Sequence, residues 1–159
     1  MKQIKLSGRL KALAGYIDKG AAVADIGTDH GHLPVYLVQT GSVSRMIATD
    51  ISVASLNSAR RSADEYNISD AITFIVTPGL DGISPADIDT IVIAGMGGET
   101  ILSILKNAPW TRQYNIKLIL QPQSKIDLLS RFLYDTGYEI KEIKYVKDKN
   151  KRYTIISAT

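Results

Sequence analysis

The sequence predicts an α/β fold with a mostly parallel, seven-stranded sheet covered by helices on both faces. Short apolar runs rich in valine and isoleucine alternate with segments of helical periodicity, which is typical of such a sheet. Two of these runs end at glycine-bearing turns, around Gly27 and Gly95. The last two apolar segments have no helix between them, which predicts a terminal antiparallel hairpin in residues 138–159.

Composition limits the class of protein. The 159 residues are 45% hydrophobic and 22% charged, which is ordinary for one globular domain spanning 1–159. The absence of cysteine excludes disulfides and thiolate zinc sites. The sequence shows neither a signal peptide nor an apolar window long enough for a membrane span, so we expect a cytoplasmic protein. The net charge of +3 permits a polyanionic partner without requiring one.

Each element follows from a local signal. Leu6, Leu10 and Leu13 recur at helical spacing, Ser7 can cap this helix and Gly20 can end it, so 1–20 is predicted to form an N-terminal helix. Apolar, β-branched runs predict strands at 21–26, 43–49, 71–76, 88–94 and 116–120. Helices are predicted at 32–39, 52–66, 99–106 and 124–135, with Ser52 as a cap.

The first glycine turn, which runs from Asp25 to Gly31, is a candidate ligand site. Gly27 allows a tight reversal close to a ligand. A dinucleotide-binding loop would place a glycine at Asp29, whose carboxylate would instead repel a pyrophosphate. A cation fits better, such as the sulfonium and ammonium groups of S-adenosylmethionine. The alternative is a plain strand–turn–helix with polar turn residues and no ligand.

Asp50 ends the strand that follows this turn. A carboxylate about twenty residues beyond a first glycine turn can accept both ribose hydroxyls of an adenosine. The alternative role is to cap the next helix.

The second turn, Gly95 to Gly98, follows the fourth predicted strand. Gly97 and Gly98 would let a flat base approach the main chain closely. Met96 either contacts such a ring or belongs to the core.

The other candidate groups leave several interpretations open. His30 and His32 are expected to point in different directions, which argues against a metal site, and His30 is either catalytic or a hydrogen-bonded turn residue. Basic side chains could touch phosphates or form solvated faces: Arg9, Lys11, Arg60, Arg61, Lys141, Lys144, Lys147, Lys149, Lys151 and Arg152.

Together these motifs resemble the TrmK family of bacterial tRNA (adenine-22-N1)-methyltransferases. The matching segments are Leu6-Ser7-x-Arg9-Leu10, Asp25 to His30 with Leu33-Pro34, Ile93 to Gly98, and Leu118 to Pro122. The resemblance implies a Rossmann-like class I methyltransferase sheet, S-adenosylmethionine as the methyl donor and tRNA as the acceptor. Class I methyltransferases also end in an antiparallel hairpin.

The motifs and the resemblance together assign roles to individual residues. The implied catalytic residues are Asp29, His30, Gly95 and Met96. The implied cofactor-binding residues are Asp25, Gly27, Thr28, Gly31, Asp50, Ile51, Gly79, Leu80, Ala94 and Gly95. Arg9, Gly97, Gly98 and Gln121 are the implied substrate-binding residues. No metal is expected, and we predict a monomer or weak dimer that binds tRNA and no membrane.

The chain departs from the family pattern at four places. Thr49-Asp50 replaces the usual Gly-Glu pair, Thr77-Pro78 precedes Gly79-Leu80 where a polar residue is usual, and Gln123 replaces an asparagine. Asp81 is the candidate to supply that missing polar contact. The family's C-terminal helical domain is expected to be absent.

Two other functions compete with this prediction. A small-molecule methyltransferase would use the same core, and a cofactor- or RNA-binding module would have no turnover. A nicotinamide oxidoreductase fits poorly, because the glycine spacing and the terminal hairpin both differ from that class.

Overall fold

The computed structural model describes residues 2–159, whose strands form one sheet. The strands are β1 (Ala21–Ile26), β2 (Val43–Asp50), β3 (Thr73–Val76), β4 (Thr90–Met96), β5 (Lys117–Pro122), β6 (Ile140–Asp148) and β7 (Lys151–Ala158). Their order in the sheet is β3-β2-β1-β4-β5-β7-β6. All pairs are parallel except β5–β7 and β6–β7, which are antiparallel. The predicted fold class, including the terminal hairpin, is confirmed.

Helices cover both faces of this sheet. They are α1 (Gly8–Ala14), α2 (His32–Gln39), α3 (Val53–Glu65), α4 (Gly98–Lys106), α5 (Trp110–Gln113) and α6 (Ile126–Asp135), with a 3₁₀ turn at Ser69–Ala71. The sheet separates two apolar cores. Ile101 of α4 and Leu129 of α6 belong to one core, and Leu13 of α1 and Leu33 of α2 belong to the other. No helix within 2–159 is long and apolar enough to cross a membrane.

Two predicted helix caps are confirmed. Ser7 Oγ accepts a hydrogen bond from the Leu10 amide at 3.3 Å, and Ser52 Oγ accepts one from the Ser55 amide at 3.1 Å. Each cap satisfies an amide that the first helical turn leaves unpaired.

The N-terminal helix is shorter than predicted. It begins at Gly8, after the Ser7 cap, so residues 2–7 are not helical. It ends at Ala14 instead of Gly20, because the chain continues in tighter turns in which Tyr16 N donates to Leu13 O and Ile17 N to Ala14 O. These turns keep Ile17 packed against the apolar core. The helical spacing of apolar residues therefore continues in the sequence beyond the point where the helix ends. The short helix α5 is not among the predicted helices; it begins at Trp110, directly after Pro109.

The sheet order places a crevice between β1 and β4. From β1 the chain order proceeds outward to β2 and β3 on one side and to β4 and β5 on the other. Ligands of open α/β sheets bind at such a switch point, beside the carboxyl ends of the strands. Both predicted glycine turns leave the sheet there.

Candidate functional site

A cavity of about 510 Å³ lies at the carboxyl ends of β1, β2 and β4. This volume is within the range of small-molecule sites. The lining combines both glycine turns, the end of β2, and parts of α1 and α2. It consists of Ser7, Arg9, Leu10, Asp25, Gly27, Thr28, Asp29, His30, His32, Leu33, Asp50, Ala94, Gly95, Met96 and Gln123.

The first turn is held in a conformation that only a few residues tolerate. Gly27 has φ +72°, and a Cβ added there would overlap Met96 Cε. Asp29 also has a positive φ of 56°, a region that aspartate enters more readily than most residues. The Thr28 amide donates to Thr49 O at 2.8 Å, which ties the turn to β2. The backbone of the turn is therefore preorganised beside the cavity.

Asp25 is a buried carboxyl group that faces this cavity. Only 5% of the residue is exposed, and its Oδ2 accepts a hydrogen bond from Thr28 Oγ1 at 2.9 Å. Burial raises the pKa of Asp25 to about 7, although the Thr28 hydrogen bond and the charge of Arg9 lower it; the charge of Asp50 raises it further. A cationic ligand next to Asp25 would favour its ionised form.

Asp50 links the first turn to the start of α3. Its Oδ2 accepts from the Asp29 amide and its Oδ1 accepts from the Ser52 amide, each at 3.0 Å. Each carboxylate oxygen has a second lone pair. The structural role and the predicted contact with ribose hydroxyls are therefore compatible.

Asp29 and His30 present polar side chains at the mouth of the cavity. The Asp29 side chain is 67% exposed, and its Oδ2 lies 3.7 Å from His30 Nε2. His30 Nδ1 is 2.8 Å from Ser58 Oγ. The expectation that His30 and His32 point apart is wrong, because their rings stack with centroids 5.7 Å apart. Within 2–159, no group of three or more His, Asp or Glu side chains is arranged to hold a metal ion.

The second turn is fixed by a buried glutamine. Gln121 is fully buried at the end of β5, and its Oε1 accepts from the Gly95 amide at 3.1 Å and from Arg9 Nη1 at 3.0 Å. Gly95 has φ +81° and lines the cavity, as do Ala94 and Met96. Gln121 itself does not line this cavity. It therefore affects the site by positioning Gly95 and Arg9.

The glycines after Met96 do not both offer an open face to a base. Gly98 is buried, its amide donates to Ser124 O at 2.8 Å, and a Cβ there would collide with the Ser124 and Lys125 carbonyls. A Cβ on Gly97 would come within 3.0 Å of Ser124 Oγ. Gly98 is therefore packed against the loop before α6, and the approach of a base to it stays a prediction.

Several other predicted site residues lie away from the main cavity. Gly31 packs against Ala59 of α3, where a Cβ would approach the Ala59 backbone to 3.0 Å. Gly79, Leu80 and Asp81 line a separate cavity of about 390 Å³ beside α4. Ile51 follows Asp50 and is 72% exposed, but it does not line the main cavity.

The cavity lining also includes residues that the sequence motifs did not predict. These are Ser7, Leu10, His32, Leu33 and Gln123. Ser7 and Leu10 line the cavity because α1 lies over the site. This position of α1 depends on tertiary packing against β6 and α2. Gln123 could have been inferred, because it immediately follows β5 at the same edge of the sheet.

Comparisons with known proteins agree with this geometry. Residues 6–156 match the family described as "Methyltransferase domain". The chain is 34% identical over 158 residues to the tRNA (adenine(22)-N(1))-methyltransferase of Bacillus subtilis, which covers 99% of this chain and 66% of that protein. The chain thus spans about two thirds of that relative's length.

Solved structures give the same result. A candidate tRNA (m1A22) methyltransferase of Streptococcus pneumoniae, in complex with S-adenosyl-L-methionine, superposes with a TM-score of 0.90 at 31% identity, over 97% of this chain and 72% of that one. TrmK of M. capricolum, in complex with S-adenosyl-homocysteine, superposes with a TM-score of 0.85 at 32% identity, over 97% and 68%. The chain therefore belongs to the methyltransferase-domain family and, within it, to the TrmK family of tRNA (adenine-22-N1)-methyltransferases.

Proposed function

We propose that this chain transfers a methyl group from S-adenosylmethionine to N1 of adenine 22 in tRNA. The observation that carries the proposal is the grouping of Asp25, Asp29 and Asp50 around one cavity at the switch point of the sheet. Three carboxylates suit a ligand that combines positive charge with a ribose. The activities and ligands of the relatives support the same assignment.

The residues present fit the proposed cofactor. Asp50 has free lone pairs for ribose hydroxyls, and Asp25 is a buried carboxyl group whose ionised form a cation would stabilise. The positive φ angles of Gly27 and Gly95 bring the main chain close to the cavity. S-adenosylmethionine would supply an electrophilic methyl group at this site.

The acceptor needs alignment more than it needs a base. N1 of adenine has an in-plane lone pair and no proton, so the protein has no proton to remove before the attack. The product ring is cationic, and a nearby carboxylate stabilises the charge as it develops. Asp29 is the candidate for this role, because it is the exposed carboxylate of the first turn. The backbone from Ala94 to Met96, fixed by Gln121, would orient the edge of the ring.

Methyl transfer to bulk tRNA tests this function. The chain would be incubated with radiolabelled S-adenosylmethionine and unmodified bacterial tRNA, and the labelled nucleoside identified after digestion. We expect 1-methyladenosine. Label in another nucleoside, or label only in a metabolite extract while tRNA stays unlabelled, would contradict the proposal, and the second result would favour the small-molecule alternative.

We also propose that the protein acts in the cytoplasm, where tRNA is available, as a monomer or weak dimer. Light scattering across a concentration series tests the oligomeric state. A stable higher oligomer would contradict that part of the proposal.

A further inference from the structure

A second cavity adjoins the first on the side of the terminal hairpin. Leu120 of β5 pairs with Ile156 of antiparallel β7, so the first residues of β7 extend beyond Pro122, where β5 ends. This overhang bounds a cavity of about 400 Å³. We call it the hairpin groove; its polar and aromatic lining includes Arg9, Gln123, Lys151, Arg152 and Tyr153. Arg9 and Gln123 also line the main cavity, so the two cavities lie next to each other.

The hairpin groove is positively charged. Arg9, Lys151 and Arg152 contribute three cations, and no carboxylate is among the lining residues. Within residues 2–159, none of these three side chains forms an ion pair. The nearby Asp148 carboxylate accepts from the Arg9 backbone amide at 3.0 Å. The groove therefore has three cationic side chains and no carboxylate in its lining, although the charge of Arg9 also acts on Asp25 of the main cavity.

One of these cations is held in place from two sides. Arg9 Nη1 donates to Gln121 Oε1 at 3.0 Å, and its guanidinium carbon lies 5.7 Å from the centre of the Tyr153 ring. A guanidinium has five N–H donors, so most of them remain available. Because Arg9 stands where the two cavities meet, an anion bound to it would lie next to a ligand of the main cavity.

We propose that the hairpin groove binds the sugar–phosphate backbone of the tRNA nucleotides beside the target adenine. The inference rests on the proposed function, which places that base in the main cavity. A base taken out of its stack carries its own backbone with it, and from a base in the main cavity that backbone would pass Arg9 and Gln123 towards the groove. Lys151, Arg152 and Arg9 then contact phosphates, and this contact fixes the register of the RNA without reading its sequence.

Salt-dependent binding of tRNA tests the proposal. The test variant is Lys151→Gln with Arg152→Gln, and the matched control is Lys19→Gln with Lys106→Gln. The control lysines are exposed and lie outside the lining of both cavities, just before β1 and at the end of α4. Both double variants lose two positive charges. For the groove variant, we expect the slope of log Kd against log salt concentration to fall by about 1.4–1.8, since each phosphate contact contributes roughly 0.7–0.9. The control variant should keep the wild-type slope.

The outcomes separate this proposal from the proposed function. Equal slopes for the two double variants, or a wild-type chain that binds no tRNA, would contradict the proposal that the groove binds the tRNA backbone. If the slope decreases only in the groove variant but no tRNA is methylated, the result supports phosphate binding by the groove and contradicts the proposed activity. The Kd for S-adenosylmethionine, measured by calorimetry, should be the same in all three proteins, and a loss of cofactor binding in the groove variant alone would also overturn the assignment.

Discussion

Asp25 is a buried carboxyl group at the proposed cofactor site. Its pKa is raised to about 7, chiefly by burial, whereas an aspartate in an unfolded chain titrates near 3.9. The folded state therefore holds an extra proton between about pH 4 and pH 7, and stability falls as the pH rises through this window. Above pH 7 the ionised group is a stability cost that a cationic ligand would offset.

Replacing Asp25 with asparagine should stabilise the ligand-free protein at high pH. A neutral side chain of the same shape avoids the buried charge, so we expect Asp25→Asn to raise the free energy of unfolding by roughly 2–4 kcal/mol near pH 8. The gain should shrink towards zero near pH 4. Urea denaturation of both proteins across this range measures it, and a gain that does not change with pH would contradict the raised pKa.

Asp29 should affect turnover without affecting cofactor affinity. Asparagine tolerates the same positive φ but lacks the negative charge, so Asp29→Asn should lower kcat for tRNA methylation by about 10²-fold. The companion variant Asp50→Ala should instead raise the Kd for S-adenosylmethionine at least about tenfold, because hydrogen bonds to a charged group are lost. Single-turnover rates and calorimetry separate the two effects. If Asp29→Asn methylates tRNA at the wild-type rate, the Asp29 carboxylate does not stabilise the developing charge.

At the scale of elements, Gly31 determines how closely α2 approaches α3. It has φ +72°, and an added Cβ would meet Ala59 Cβ at 2.8 Å and Ala59 Cα at 3.0 Å. Gly41 offers a matched control, because its φ of +65° is similar and nothing lies within 4 Å of its added Cβ. A substitution at Gly41 therefore tests the backbone conformation alone.

We expect Gly31→Ala to be more destabilising than Gly41→Ala. The positive φ should cost each variant about 1–2 kcal/mol, and overpacking should cost Gly31→Ala a further 1–3 kcal/mol or so. Thermal or urea unfolding measures the difference. If the two variants lose equal stability, the contact with Ala59 does not limit the packing of α2 on α3.

At the scale of the whole molecule, the sequence predicted what depends on local pattern. The parallel strands are apolar and β-branched because both faces of the sheet are covered, so β1, β2 and β4 could be located within a few residues. The first glycine turn and Asp50 also follow strands directly, and strand ends meet at one edge of the sheet.

What the sequence could not predict depends on tertiary contacts. Gly98 is buried under the carbonyls of Ser124 and Lys125, which lie far from it in the chain. The hydrogen bonds of Gln121 likewise join distant segments. The stacking of His30 on His32 depends on side-chain rotamers that no spacing rule describes. The hairpin groove likewise arises only because β7 extends past the end of β5.

The position of the methyl group in tRNA distinguishes methylation of adenine 22 from every other activity considered above. A methyl at N1 blocks Watson–Crick pairing, so reverse transcription stops at the modified adenine. After reaction with the wild-type chain and S-adenosylmethionine, we predict a stop at adenine 22, and none in a matched tRNA in which guanine replaces that adenine. A stop at another position, or no stop although the cofactor binds, would show that this chain does not methylate adenine 22.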